Sequence, residues 1–260
     1  VVIGTTGAML GVSPSLAQEK HRADFVTGSV DDSVLTQALD ALREARAAGF
    51  ENITADLIFG VPGFGGDALL RTIDGLLNAG VQHISAYHLT VEPDTAFGRR
   101  AARGTFAAVD ENVSEQEFLT VHTALCAAGY EHYEVSNYAL PGFRARHNAA
   151  YWHGAKYLGV GPAAHSYDGT GRRWNVASVT KYLEGVPAEN ETLTERDRYN
   201  EYLLTRLRTS DGVDTCEIAR LFGPRRLARL LDEAERWIAA GALRSDGRRI
   251  AVPPRRFLVS

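Results

Sequence analysis

The sequence predicts an α/β fold, a parallel sheet with helices outside it, followed by a small C-terminal helical, winged-helix-like domain. Three observations carry this reading. Helical patterns end three times in the same punctuation, AAGF at Ala47–Phe50, NAGV at Asn78–Val81 and AAGY at Ala127–Tyr130. Each is followed by a strand-like run: ENITADLIFG, QHISAYHLTV and EHYEVSNY. From about Tyr182 the pattern turns helical and arginine-rich and closes on a hairpin signal. Alternating helices and strands imply a parallel sheet, and a run of helices after them implies a second domain. The expected division is 1–175 and 176–260.

The elements follow in order. Val1–Thr6 is apolar and supplies one further strand. Leu35, Ala38, Leu39, Leu42 and Ala45 share one face of the first helix, and Leu69, Leu70, Ile73, Leu76 and Leu77 share one face of the second. Gly49, Gly80 and Gly129 stand where a helix ends in the left-handed conformation that glycine accepts. The third helix is expected to open at Ser114, with Ser114 and Glu117 as a capping box. Along Ile53–Phe59, Ile53, Ala55, Leu57 and Phe59 face one side, and Thr54, Asp56 and Ile58 the other. Asp56 therefore lies on the more polar face. The strand Ile84–Val91 carries Tyr87 and His88 near its end. Further on, Tyr199, Tyr202, Leu203 and Leu207 form a helical stripe. Asp214 and Glu217 open a short helix that FGP ends at Phe222–Pro224. Leu227, Leu230, Leu231, Ala234, Trp237 and Ile238 mark the buried side of a longer helix. Asp246-Gly247 turns a final hairpin.

Composition bounds the function. The 260 residues carry a net charge of −4, which gives no global pull toward nucleic acid or anionic lipid. No apolar run reaches the roughly 18–20 residues of a membrane span. VVIGTTGAML has no basic segment ahead of it and makes a poor signal peptide. Two cysteines, Cys126 and Cys216, form no disulfide framework and suit a reducing, cytoplasmic compartment. The chain starts at VVIG without Met, and the expectation is a fragment or degenerate copy of a longer protein.

The stretch Gly129–Trp174 holds His132, His147, His153 and His165 among eight tyrosines and tryptophans: Tyr130, Tyr133, Tyr138, Tyr151, Trp152, Tyr157, Tyr167 and Trp174. Imidazoles beside flat rings suit a planar, metal-bearing ligand; an aromatic core with hydrogen-bonded histidines is the alternative. The loop Gly60–Gly66 (GVPGFGG) lets backbone amides approach a ligand closely. It lacks the lysine and the spacing of a phosphate loop.

HNAAYW at His147–Trp152 resembles the HNxxYW motif of the HemW haem-chaperone family, radical SAM proteins similar to oxygen-independent coproporphyrinogen III oxidase. ADLIFGVPG (55–63), HISAYHLTVEPDTAFG (83–98), YEHYEVSNYALPGF (130–143) and YLGVGPAAHSY (157–167) match the same family in order. The resemblance runs from about Val34 to the C-terminus. It implies a partial radical SAM (βα) barrel followed by the family's small C-terminal domain. It also implies haem bound through His147, Asn148, Tyr151, Trp152 and His165. His147 is then the iron ligand, His153 and His165 are fallbacks, and Arg144 and Arg146 pair with propionates. An alternative leaves His147 capping backbone in a turn beside Asn148. Asp56 is implied as an S-adenosylmethionine contact, with Tyr87 close by; packing within a barrel is the alternative for both.

The family's [4Fe–4S] cluster needs three closely spaced thiolates, and no CxxxCxxC occurs here. The family's strand glutamine is replaced by Thr6, its GRxH turn by residues 30–33, and its GGGTP segment is absent. Residues 215–260 hold ten arginines against five acidic residues, but Asp232, Glu233 and Glu235 interrupt any basic stripe on the long helix. Nucleic-acid binding is not expected. The expected function is a haem-binding carrier that passes haem to a respiratory apoprotein. The alternatives are a coproporphyrinogen III dehydrogenase of porphyrin biosynthesis and an inactive gene fragment.

Overall fold

The computed structural model describes residues 2–4, 32–93 and 95–259. They form two compact units that meet in the chain between Arg144 and Ala145. The segment 145–175, grouped by the sequence pattern with the first domain, pairs through its strands with residues 189–192. Thr6 and residues 30–31 lie outside the described residues.

The first unit is built on a five-stranded sheet. β1 (Val2–Gly4), β2 (Thr54–Phe59) and β3 (His83–His88) run parallel, as the repeated helix–strand rhythm predicts. Ile53, just before β2, and Ala55, Leu57 and Phe59 on it are buried, and the alternate residues are half-buried. α1 (Asp32–Ala47) covers the sheet with Ala38, Leu42 and Ala45, and α2 (Asp67–Asn78) with Leu69, Ile73 and Leu76. Gly49, Gly80 and Gly129 all take positive φ, at 92°, 64° and 90°. They end their helices in the way the sequence requires.

Three elements depart from expectation. EHYEVSNY is not a single parallel strand but a hairpin, β4 (Glu131–Glu134) and β5 (Asn137–Ala139), with β5 antiparallel to β3. Its turn is closed by Glu134, whose carboxylate accepts from the backbone N–H of Ser136 at 3.0 Å and from the Asn137 amide. β3 stops at His88, short of Val91. The helix α4 (Glu111–Ala127), which follows the short α3 (Ala96–Ala102), starts before Ser114. Asp110 caps it, accepting from Val113 N at 2.9 Å. Ser114 and Glu117 sit a turn inside, both buried, and form no capping box.

The second unit begins with α5 (Arg146–Trp152) and an antiparallel sheet of β6 (His165–Tyr167), β7 (Gly171–Trp174) and β8 (Glu189–Thr192), with α6 (Val179–Leu183) between the last two strands. α7 (Glu195–Leu207) opens on a reciprocal box that the sequence reading missed. The Thr194 hydroxyl accepts from Asp197 N, and the Asp197 carboxylate accepts from Thr194 N. Then come β9 (Val213–Asp214), α8 (Thr215–Phe222), α9 (Pro224–Ala239) and the hairpin β10 (Arg244–Ser245)–β11 (Arg249–Ala251). Gly247 turns that hairpin at φ 90°, and β11 also pairs with β9. This is the winged-helix-like outline read from the sequence. Its core gathers Tyr199, Val213, Ile218, Leu230, Ala234 and Ile250. Leu231 and Trp237, expected within that core, are 46% and 48% exposed. The face that packs inward runs through Leu227, Leu230, Ala234 and Ile238, at spacings of three and four, and the other two fall on its rim.

Candidate functional site

The ends of β2 and β3 hold a first cluster. Asp56 pairs in register with Ser85, and Tyr87 lies two residues further along the same face of β3. Burial raises the Asp56 carboxyl above its ordinary range, and the Ser85 hydroxyl pulls it partly back. Tyr87 is exposed. Beside them, His88 Nε2 lies 2.9 Å from the Ser114 hydroxyl, and Gly60 N donates to Glu117 Oε2 at 2.7 Å. Burial pushes the His88 imidazole down, opposed by the Glu117 charge. Asp56 and Tyr87 therefore share a face, as the sequence suggests. Ser114 and Glu117, read there as a helix cap, belong instead to the glycine loop's support.

The ring-rich stretch is divided between the two units. His132 is buried in the first, stacked on Tyr138 at 3.9 Å, with its Nδ1 2.9 Å from that of His122. Arg144 pairs with Glu131 at 3.0 Å and lies over the Tyr133 ring. Those contacts use the guanidinium that the sequence reading aimed at a propionate.

In the second unit the HNAAYW residues form α5 itself. No side chain caps this helix, so His147 is a helical residue and not a cap. Its Nε2 lies 3.2 Å from the Tyr151 hydroxyl, one turn on, with the two rings edge to face at 5.0 Å. His147 and Asn148 are exposed. Tyr151 and Trp152 line a cavity of about 440 Å³. Tyr157, Tyr167, Tyr202 and Phe222 add further rings to its wall, and Arg172, Arg198 and Arg206 add charge. Tyr151 meets Tyr157 edge to face at 5.0 Å, and Arg208 lies over the Trp152 ring.

α7 builds much of this wall. Arg198, Glu201, Tyr202, Thr205 and Arg206 all reach the cavity at spacings of three and four, one helical stripe. The apolar stripe predicted for this helix, Tyr199, Tyr202, Leu203 and Leu207, shares only Tyr202 with it; Arg198, Glu201, Thr205 and Arg206 were not predicted, although their spacing is present in the sequence. Arg172 pairs with Glu201 at 2.9 Å and Arg206 with Glu217 at 3.3 Å. Glu217 also accepts from the Tyr202 hydroxyl at 2.6 Å, and burial together with that bond pushes the Tyr202 phenol up. Glu217 is turned away from the capping role expected of it; Asp214 alone caps α8.

His153 lines the same cavity and takes a hydrogen bond at Nδ1 from Arg206. Its other ring nitrogen then carries the proton in the neutral form, a donor and not a metal ligand. His165 stacks on Trp174 at 6.1 Å and lies outside the cavity lining. The arrangement can take a flat ring bearing acidic groups: aromatic walls, three guanidinium groups beside two carboxylates, and a volume within the roughly 300–1,000 Å³ of ligand pockets. A [4Fe–4S] cluster is not matched. The two cysteines lie in different units, and a cluster needs at least three thiolates.

Comparison with known proteins agrees with these features. Residues 193–259 match the HemN C-terminal domain family. The chain is 38% identical over 230 residues to the haem chaperone HemW of Mycobacterium tuberculosis, covering 86% of this chain and 57% of that protein. It is 32% identical over 189 residues to HemW of Bacillus subtilis, covering 70% of this chain and 50% of that one. The chain thus spans about half the length of these relatives. The fold is similar to coproporphyrinogen III oxidase (HemN) of Escherichia coli, a radical SAM enzyme, with a TM-score of 0.67 at 18% identity over 89% of this chain and 57% of that one. Residues 193–259 thus belong to the HemN C-terminal domain family, and the chain as a whole is similar to about half the length of the HemW haem chaperones, on a fold shared with HemN.

Proposed function

We propose that this chain binds haem and acts as a haem carrier of the HemW kind, handing its cargo to a respiratory apoprotein in the cytoplasm. One observation carries the reading: two residues of the HNAAYW helix, Tyr151 and Trp152, open onto a ring-walled, arginine-bearing cavity. Stacking on the tyrosines and Trp152 would hold the macrocycle, and the arginines would take its propionates. His147 stands one ring beyond the lining, against Tyr151, and is the proposed iron ligand once the Tyr151 hydroxyl releases its Nε2. Asn148 shares that exposed end of the helix. His165 is proposed as a peripheral contact. Asp56 and Tyr87 are proposed to receive S-adenosylmethionine, independently of the haem site. Radical decarboxylation of a porphyrinogen has less support, because these 260 residues contain only two cysteines.

Haem titration followed at the Soret band tests the reading. The parent chain is expected to bind, His147→Ala to shift the band and weaken binding, and Trp152→Ala to weaken binding. Unchanged affinity and spectrum in a folded His147→Ala protein would remove His147 as ligand. Absence of binding by the parent chain would remove the function.

A further inference from the structure

The cavity is electrostatically closed on itself. Two of its three arginines already hold a carboxylate from the same wall: Glu201 on Arg172 and Glu217 on Arg206. Both glutamates line the cavity and face it alongside the rings. The two pairs come from different elements, β7 to α7 and α7 to α8, so neither is a neighbour contact within one helix. Arg198 holds no carboxylate among the described residues and is exposed. Three guanidinium groups against two carboxylates leave the wall with a net positive charge, satisfied only in part.

We propose that Glu201 and Glu217 are built-in competitors for the ligand's carboxylates, so that binding exchanges internal ion pairs for ligand ion pairs. This rests on the reading of the cavity as a porphyrin site. The free wall is kept from exposing Arg172 and Arg206 unpaired, and a bound anion must displace a carboxylate to reach either. Such an exchange conserves the number of charge-assisted pairs and lowers the net gain from each propionate. A ligand without carboxylates gains nothing from the arginines and leaves both internal pairs in place. Arg198, which holds no carboxylate among the described residues, supplies the net gain that favours a ring bearing an acidic group, and the two glutamates hold the affinity down, as suits a carrier that must release its load.

The two glutamates are not equivalent. Glu201 is held by Arg172 alone among the contacts described above. Glu217 is held by Arg206, Tyr202 and, at 3.7 Å, Arg220. Glu201 is the one that yields first.

The test uses the full chain and free-base protoporphyrin IX, which removes iron ligation from the measurement. Fluorescence titrations compare the parent, Glu201→Gln, Glu217→Gln and Arg172→Gln, each checked by circular dichroism. The dimethyl ester of the same porphyrin is titrated in parallel. Glu201→Gln is expected to bind the free acid about two- to five-fold more tightly, the range set by a partly exposed ion pair. It should leave ester binding unchanged, and Arg172→Gln should weaken binding of the free acid only. If Glu217→Gln fails to fold, Glu201→Gln decides alone. Unchanged or weaker binding of the free acid by folded Glu201→Gln would overturn the competitor role while leaving the porphyrin site intact. Absence of porphyrin binding by every protein would overturn the site as well.

Discussion

The backbone N–H of Gly60 donates to Glu117 Oε2 at 2.7 Å, which ties the glycine loop after β2 to a helix 57 residues further on. Glu117 is 7% exposed, so its carboxylate serves the loop and not the solvent. The loop that follows the Asp56 strand is thereby anchored to α4.

Removing that carboxylate should unsettle the first unit. Glu117→Ala is expected to cost about 1–3 kcal/mol, because it leaves the Gly60 amide buried without its acceptor. Glu117→Gln keeps an acceptor oxygen and should cost less. Urea unfolding followed by circular dichroism compares the three. Equal midpoints for the parent and Glu117→Ala would show that the contact contributes nothing.

Gly60 itself should resist substitution. It sits at φ 74°, and a Cβ there would stand 2.5 Å from His88 Nε2. Gly63, at φ 78°, has open space around the same atom. Gly63→Ala should therefore cost only the left-handed backbone, about 1–2 kcal/mol. Gly60→Ala should cost more and displace His88 from Ser114. Thermal unfolding ranks the two, and equal losses would show that the imidazole moves aside freely.

Acid should weaken the first unit before its carboxylates titrate. Burial drives His83 down to about 4 and His132 to about 3, from an ordinary value near 6.5. Both are neutral in the folded protein, while the unfolded chain takes up protons as the pH drops below about 6.5. Stability is therefore full above that value, declines as the pH falls, and levels off only near the folded values. Replacing His132 by Gln should flatten the slope of stability between pH 6 and 4. A slope that survives this change and His83→Gln would place the acid sensitivity elsewhere.

Asp214 does two jobs in the second unit. It accepts from Cys216 N and Glu217 N at the start of α8, and it pairs with Arg248 of the hairpin at 2.8 Å and 3.0 Å. Asp214→Ala should cost about 1–2 kcal/mol, chiefly through the lost cap. Asp214→Asn keeps the cap and loses only the exposed ion pair, which is worth about 0–1 kcal/mol. Denaturant unfolding separates them; equal losses would shift the weight to the ion pair.

The sequence by itself determined the local structure. Glycine at 49, 80 and 129 ended helices because few other residues accept a positive φ. Alternation along 53–59 set which side of β2 is buried, and Asp246-Gly247 turned the last hairpin. HNAAYW and its companion segments were enough to indicate the family. What only the tertiary structure decided were partners distant in sequence. Periodicity can say that Ser114 and Glu117 lie on one helical face, but not that His88 and Gly60 come to meet them. It cannot say that EHYEVSNY folds back on β3, because a buried hairpin and a buried strand carry the same apolar residues. Nor can it show that Glu201 and Glu217 turn inward onto Arg172 and Arg206. An ion pair depends on where two backbones pass each other, and that is set by the packing of whole elements.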